Sequence, residues 1–119
     1  MAKLEIENDQ LVLKLTLLEK LGAFRGSLKF RLESVSTARV SSQPWEELRG
    51  FRSPGTGLPG VISLATRRGK DVKDFSAIYG KGAAVVVDLK DTNFDRIVYT
   101  SKTADTDVQK LIEAISAPH

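Results

Sequence analysis

The chain is predicted to be a mainly β domain, α+β by count, closed by one C-terminal amphipathic helix. Three observations predict it. Apolar and polar residues alternate through most of the chain before residue 100, the period of a half-buried strand. Turn residues punctuate that alternation at Asn8-Asp9, Gly80-Lys81-Gly82 and Lys90-Asp-Thr-Asn93. Only the C-terminal stretch changes period, with Val108, Leu111, Ile112 and Ile115 at i, i+3, i+4 and i+7.

The elements follow in order. Lys3–Thr16 reads as a β-hairpin: Leu4 and Ile6, then Leu11, Leu13 and Leu15, alternate across Asn8-Asp9, a dipeptide that tolerates left-handed backbone. Leu17–Gly22 lacks β-branched residues and ends in glycine, which fits one helical turn or a loop. Ser27–Val40 alternates again, as two short strands or as one strand bulged near Glu33-Ser34. Gln43–Arg49 suggests one helical turn with Pro44 at its first position. Gly50–Gly60 mixes glycines and prolines too densely for a strand interior and is expected as a long ordered loop.

Val61–Thr66 and Phe75–Tyr79 read as strands either side of the charged turn Arg67–Asp74, followed by strands at Ala83–Leu89 and Phe94–Thr100. The final helix is expected over about residues 105–116, with Thr106-Asp-Val-Gln109 resembling a capping box, Asp105 an alternative cap, and Pro118 as the stop. About seven antiparallel strands and one terminal helix pack most simply as two near-orthogonal sheets or a partly open barrel, with the helix in an open end.

A length of 119 residues fits one domain, 1–119, with core strands over about 3–100. Its 41% hydrophobic and 28% charged residues are ordinary for a globular chain. There is no cysteine, which excludes disulfides, Cys-ligated metals and a thiol nucleophile. The first ten residues carry Lys3, Glu5, Glu7 and Asp9, unlike a signal peptide. Apolar runs such as Ala83–Val87 are far short of the ~20 residues that span a bilayer. The expectation is a cytoplasmic protein, with peripheral contact to the inner face of the membrane left open.

The net charge of +3 is concentrated in the middle of the chain: Arg49–Lys81 holds seven bases against two acids. Such asymmetry speaks about partners, not fold. Arg49, Arg52, Arg67, Arg68, Lys70 and Lys73 are the candidate binding residues. The last four are expected to crowd one hairpin tip, where arginine suits phosphate and an anionic membrane face could be met; the plainer reading is a solvated turn. In the Gly/Pro loop, Gly55, Thr56, Gly57, Leu58, Pro59 and Gly60 are candidates for a ligand or partner contact, against a structural reading as a rigid connection with Phe51 and Leu58 tucked in.

Catalysis finds no support. The sole histidine, His119, is terminal, and no base partner for a serine or threonine nucleophile is evident. The loop does not match a phosphate-binding P-loop, because Gly60 opens a strand and Gly69-Lys70 is followed by Asp71. No metal site and no cofactor are expected. Nucleic acid is disfavoured because the aromatics are sparse and sit mostly at inward strand positions; Trp45, after Pro44, is expected to act as a lid.

Over Leu48–Phe75 the string Leu-Arg-Gly-Phe-Arg-Ser-Pro-Gly-Thr-Gly-Leu-Pro-Gly-Val-Ile-Ser-Leu-Ala-Thr-Arg-Arg-Gly-Lys-Asp-Val-Lys-Asp-Phe resembles the signature of small bacterial pleckstrin-homology-like (PH-like) domain proteins of unknown function. The likeness extends loosely through Val85–Leu89 and the terminal helix. It implies a PH-like barrel and, by analogy, a non-catalytic binding or adaptor role, foremost for a protein partner and alternatively for an anionic lipid headgroup or phosphorylated small molecule at residues 67–73. A homo-oligomer is compatible with the sequence.

Overall fold

Among the described residues the chain forms nine strands, built from the alternation just described, and two α-helices. The computed structural model describes residues 1–23 and 26–116, and the side chains of all of these but residues 22–23 and 51–56. The elements run β1 (Lys3–Glu7), β2 (Gln10–Lys14), α1 (Leu17–Ala23), β3 (Leu28–Arg31), β4 (Val35–Ser41), β5 (Phe51–Leu58), β6 (Ile62–Gly69), β7 (Val72–Tyr79), β8 (Ala84–Leu89), β9 (Arg96–Thr100) and α2 (Ala104–Ser116). Short 3-10 turns at Leu32–Ser34 and Pro44–Glu47 precede β4 and β5. None of the described helices is long and apolar enough to cross a membrane.

The expected hairpin at the N-terminus is β1–β2, with Glu7 opposite Gln10 and a two-residue turn. Asn8 and Asp9 both take positive φ, 47° and 63°, the backbone a primed hairpin turn needs. β3 adds to β2, giving a sheet of order β1-β2-β3. The second sheet has order β4-β8-β9-β7-β6-β5. Both orders are open, so the strands form two sheets and no closed barrel. The expected all-antiparallel pairing also fails at one place. β9 inserts between β7 and β8 and runs parallel to β7, with Phe75 opposite Ile97. The connection after β7 therefore passes β9, where Tyr79 N–H donates to Thr100 Oγ1 at 3.1 Å and Ser101 N–H to Ala83 O at 3.2 Å.

The main core lies between the two sheets. Leu11, Leu13, Leu28 and Phe30 from the small sheet meet Leu64, Phe75, Ala77, Val85, Val87, Ile97 and Tyr99 from one face of the large sheet. α2 covers the remaining edge with Ala104, Val108 and Leu111. Each fully buried leucine contributes roughly 1.5–3 kcal/mol of transfer free energy.

Several expectations are corrected. The Gly50–Gly60 loop is mostly strand. β5 is an edge strand paired only with β6, and its register shifts between Arg52 and Gly55. Ser53 and Pro54 fall in that irregularity, which is where a sheet tolerates a residue with no N–H to donate. Gly50 is needed at the crossing: its φ is +72°, and an added Cβ would lie 2.4 Å from the Arg68 backbone. The charged turn 67–74 shrinks to Lys70-Asp71, because β6 and β7 remain paired out to Gly69 and Val72. Of the two readings of Ser27–Val40, the two short strands are found, in different sheets and redirected by the 3-10 turn Leu32–Ser34. With β5 added and β3 and β4 separate, the described residues hold nine strands against about seven expected.

α2 spans Ala104–Ser116, within one residue of the expected 105–116, and starts ahead of both expected caps, Asp105 and Thr106. Ser101 and Thr103 hydroxyls donate to Asp107 Oδ2 and Oδ1 at 2.9 and 3.1 Å, so the helix start is organised one turn earlier. Ile112 and Ile115 of its expected stripe are 43% and 36% exposed. Pro118 and His119 lie outside the described residues.

Candidate functional site: a groove beside Trp45 and an inverted helix

The face of the large sheet turned away from the core carries Ser63, Asp74, Ser76, Ile78, Ala84, Val86, Asp88, Arg96 and Val98. Strand alternation sends them opposite to the core residues. This face is covered by the segment 43–49. Trp45 and Leu48 pack on Ile78, Ala84, Val86 and Val98, and Trp45 Nε1–H donates to Gly80 O at 2.7 Å. Pro44 stands at the first position of the 3-10 turn, as expected, and Trp45 acts as a lid over a sheet face.

Charges pin this lid at both ends. Arg39 grips Glu47 in two parallel bonds of 3.0 and 2.6 Å, and Ser41 Oγ donates to it at 3.0 Å. Arg96 reaches the Glu47 carbonyl at 3.2 Å and donates to Asp88 at 2.7 Å. The Arg39 guanidinium, ahead of the opposing cost of burial, holds the Glu47 carboxyl down at about 2. At the far end Arg49 forms a two-bond pair with buried Asp74, at 2.7 and 2.8 Å. Arg67 Nε and Nη2 donate to the carbonyls of Arg49 and Gly50 at 3.2 and 2.8 Å.

Between lid and sheet edge lies an open groove of about 290 Å³, lined by Trp45, Leu48, Gly57, Leu58, Pro59, Ser63 and Arg67. Its walls set Trp45, Leu48, Leu58 and Pro59 beside the polar Ser63 and Arg67, and the edge strand β5 leaves one side open. The volume is at the small end for a ligand pocket and suits one or two side chains of another molecule. Ser63 Oγ is 2.9 Å from Ser76 Oγ, and Ser76 also reaches Ala65 O, so the groove's hydroxyl is held by another hydroxyl and not by a base. Among the described residues no three His, Asp or Glu side chains gather to hold a metal ion.

The basic residues singled out from sequence are therefore dispersed. Arg49 and Arg67 clamp the lid. Lys73 is half-buried, its Nζ 4.7 Å from the Phe94 ring centroid and its backbone N–H donating to Asp95 at 2.8 Å. Arg68 and Lys70 are exposed at the β6–β7 end. The side chains of Arg52, Gly55 and Thr56 lie outside the described residues; of the other loop candidates, Gly57, Leu58 and Pro59 line the groove, and Gly60 takes φ +79° in the following turn.

A second feature was missed from sequence. α1 is amphipathic the wrong way round: Glu19 is fully buried, while Leu17, Leu18 and Leu21 are 73%, 67% and 64% exposed. Glu19 accepts from Thr16 N–H at 2.8 Å, and Glu19 N–H donates to Thr16 Oγ1 at 3.2 Å, a complete capping box. Its other oxygen accepts from the Tyr79 hydroxyl at 2.9 Å. Burial, with Glu19 close by, raises the Tyr79 hydroxyl well above its ordinary 10.0. The spacing Thr16-x-x-Glu19 was the available signal.

No protein-family model, no curated protein and no solved structure matches this chain.

Proposed function

We propose that the chain is a non-catalytic binding or adaptor module that recognises a protein partner through the groove beside Trp45. The observation that carries this reading is the groove itself: a trough in which Trp45, Leu48, Leu58 and Pro59 stand beside Ser63 and Arg67 along an edge strand. Such a trough accepts apolar side chains from an extended segment, and aromatic anchors dominate interfaces of this kind. The PH-like resemblance supports a binding role by analogy of role alone. The reading of residues 67–73 as an anion site is weaker, because Arg67 and Lys73 already have internal partners.

Trp45 is the only tryptophan, so its emission reports on the groove without interference. Peptides selected from a random library against the folded protein should shift Trp45 emission on titration. Leu58→Ser, at a position already 57% exposed, should weaken them about tenfold or more without loss of fold. Trp45→Ala should abolish binding. Selected peptides that bind with Trp45 emission unchanged and ignore Leu58→Ser would remove the groove from the mechanism.

A further inference from the structure

We infer that the end of the molecule built by α1 and the turns at 58–61 and 80–83 docks on an anionic lipid surface, with Leu17, Leu18 and Leu21 entering the headgroup region. This surface meets the groove only at the turn 58–61, where Leu58 and Pro59 line the groove, and its helix lies on the other face. α1 reaches Tyr79, whose side chain packs on the core face of the large sheet, whereas the groove occupies the opposite face.

The geometry starts from Glu19. On a helix, residues two positions either side of it lie about 200° away, so Leu17 and Leu21 point straight out when Glu19 points in. Leu18 and Lys20 flank them, and both are exposed. A buried acid beneath exposed leucines reverses the usual order of a surface helix. Nothing in the capping box or the Tyr79 bond requires leucine on the outside.

The neighbouring turns extend the same surface. Tyr79 lies opposite Ile62, Gly80 N–H donates to Val61 O at 2.8 Å, and Val61 N–H donates to Leu58 O at 2.9 Å. Leu58 and Val61, 57% and 55% exposed, therefore stand at the end of the sheet to which Glu19 is tied. Lys81 passes there, its Cε 3.8 Å from where a Cβ on Gly60 would stand. Lys102 shares a cleft with Tyr79 and with Met1, itself 44% exposed. Among the described residues the lysines at this end, Lys20, Lys81 and Lys102, are all exposed, while Glu19 is buried and Asp107, bonded to Ser101, is half-buried. Asp105, in the first turn of α2, is the exposed acid nearest to Lys102 in sequence.

The charge selects the occupant. A second copy of this chain would set lysine against lysine. An anionic bilayer complements the lysines, whose long stems let the ammonium stay at the headgroups while aliphatic tips enter. Each lysine near such a surface multiplies partitioning about fivefold.

The test is co-sedimentation of the full chain with phosphatidylcholine vesicles, with and without phosphatidylglycerol, at low and high salt. Retention is expected on the anionic vesicles at low salt, with strong loss at high salt. Leu18→Gln with Leu21→Gln should lower retention at least tenfold, and Lys20→Glu with Lys81→Glu should lower it further than fivefold per site. These are exposed positions, and an unchanged far-ultraviolet circular dichroism spectrum confirms that each variant folds. Arg68→Glu, at the other end of the sheet, should leave retention near the parent value. No retention on anionic vesicles overturns the inference. So does retention indifferent to the leucines, or lost with Arg68→Glu instead. Leucine-dependent self-association without vesicle binding also overturns it, by assigning the face to a protein contact. Because Leu58 lines the groove too, the variants avoid it, and peptide binding read at Trp45 should survive all of them.

Discussion

The two helices show opposite ways of holding a helix on a sheet. α2 buries Ala104, Val108 and Leu111 and turns its charges outward. α1 buries Glu19 and turns its leucines outward. Yet each is tethered alike, by a carboxylate to a strand tyrosine: Tyr79 donates to Glu19 at 2.9 Å, and Tyr99 to Asp107 at 3.1 Å. α2 has an apolar face in the core besides its tether. Among its described side chains α1 buries only Glu19, so the apolar surface of its leucines remains available for another use.

The sharpest way to break this comparison is to delete a leucine from each helix. Leu111 is fully buried, and Leu111→Ala should cost about 2–5 kcal/mol through lost transfer energy and the cavity left behind. Leu18 is 67% exposed, and Leu18→Ala should change stability by no more than about 0.5 kcal/mol. Urea denaturation of the two variants measures both. Equal costs would mean that the α1 leucines pack in solution and that the helix is not inverted.

That inversion was hidden in the sequence for a physical reason. Leu17-Leu-Glu-Lys-Leu has no strict period over so short a span, and leucine is read as inward by default. The capping spacing Thr16-x-x-Glu19 was legible, but only the Tyr79 hydroxyl, contributed from 60 residues away in sequence, makes the burial of Glu19 affordable. The β-hairpins and the terminal helix were readable because alternation and the 3.6-residue period are local signals. The strand β5 was not, since Pro54 and its glycines argue against a strand unless the strand is an edge with a register shift, and edge status is decided by topology. The parallel β7–β9 pair was unreadable for the same reason. The groove was half legible. Pro44-Trp45 announced a lid, and Leu58-Pro59 an apolar loop, but nothing local brings the two together. The basic cluster 67–73 divides between the two faces of its hairpin, with Arg67 opposite Asp74 on the lid side and Arg68 opposite Lys73 on the other, a division that follows from strand pairing and not from proximity in sequence.

A subtler break acts on the α1 tether. Glu19→Ala removes the capping box, about 1 kcal/mol, and leaves the Tyr79 hydroxyl without its acceptor, for a total of roughly 2–3 kcal/mol. Glu19→Gln keeps an oxygen for Thr16 N–H and should recover part of that loss. Hydrogen exchange should show the α1 amides opening well before the sheet. If α1 amides exchange no faster in Glu19→Ala, packing and not the cap holds the helix.

The smallest effect concerns the tyrosines and separates the two tethers by pH. Burial first, then the neighbouring carboxylate, raises both hydroxyls above the ordinary 10.0, more so for fully buried Tyr99 than for half-buried Tyr79. The unfolded chain therefore releases these protons first as pH rises. The folded state holds more protons above pH 10, and its stability falls there; below pH 10 the contribution is present in full. One retained proton corresponds to about 1.4 kcal/mol per pH unit. At neutral pH, Tyr99→Phe should cost about 1 kcal/mol, and Tyr79→Phe about 1–3 kcal/mol because it takes a donor from buried Glu19. Above pH 10 each variant should lose stability less steeply than the parent, and Tyr99→Phe should flatten the curve over the wider range. Lysine titration is common to all three proteins and cancels in the difference. Parallel alkaline curves for parent and variants would show that neither hydroxyl is held protonated by its helix, and the likeness between the two tethers would be geometric only.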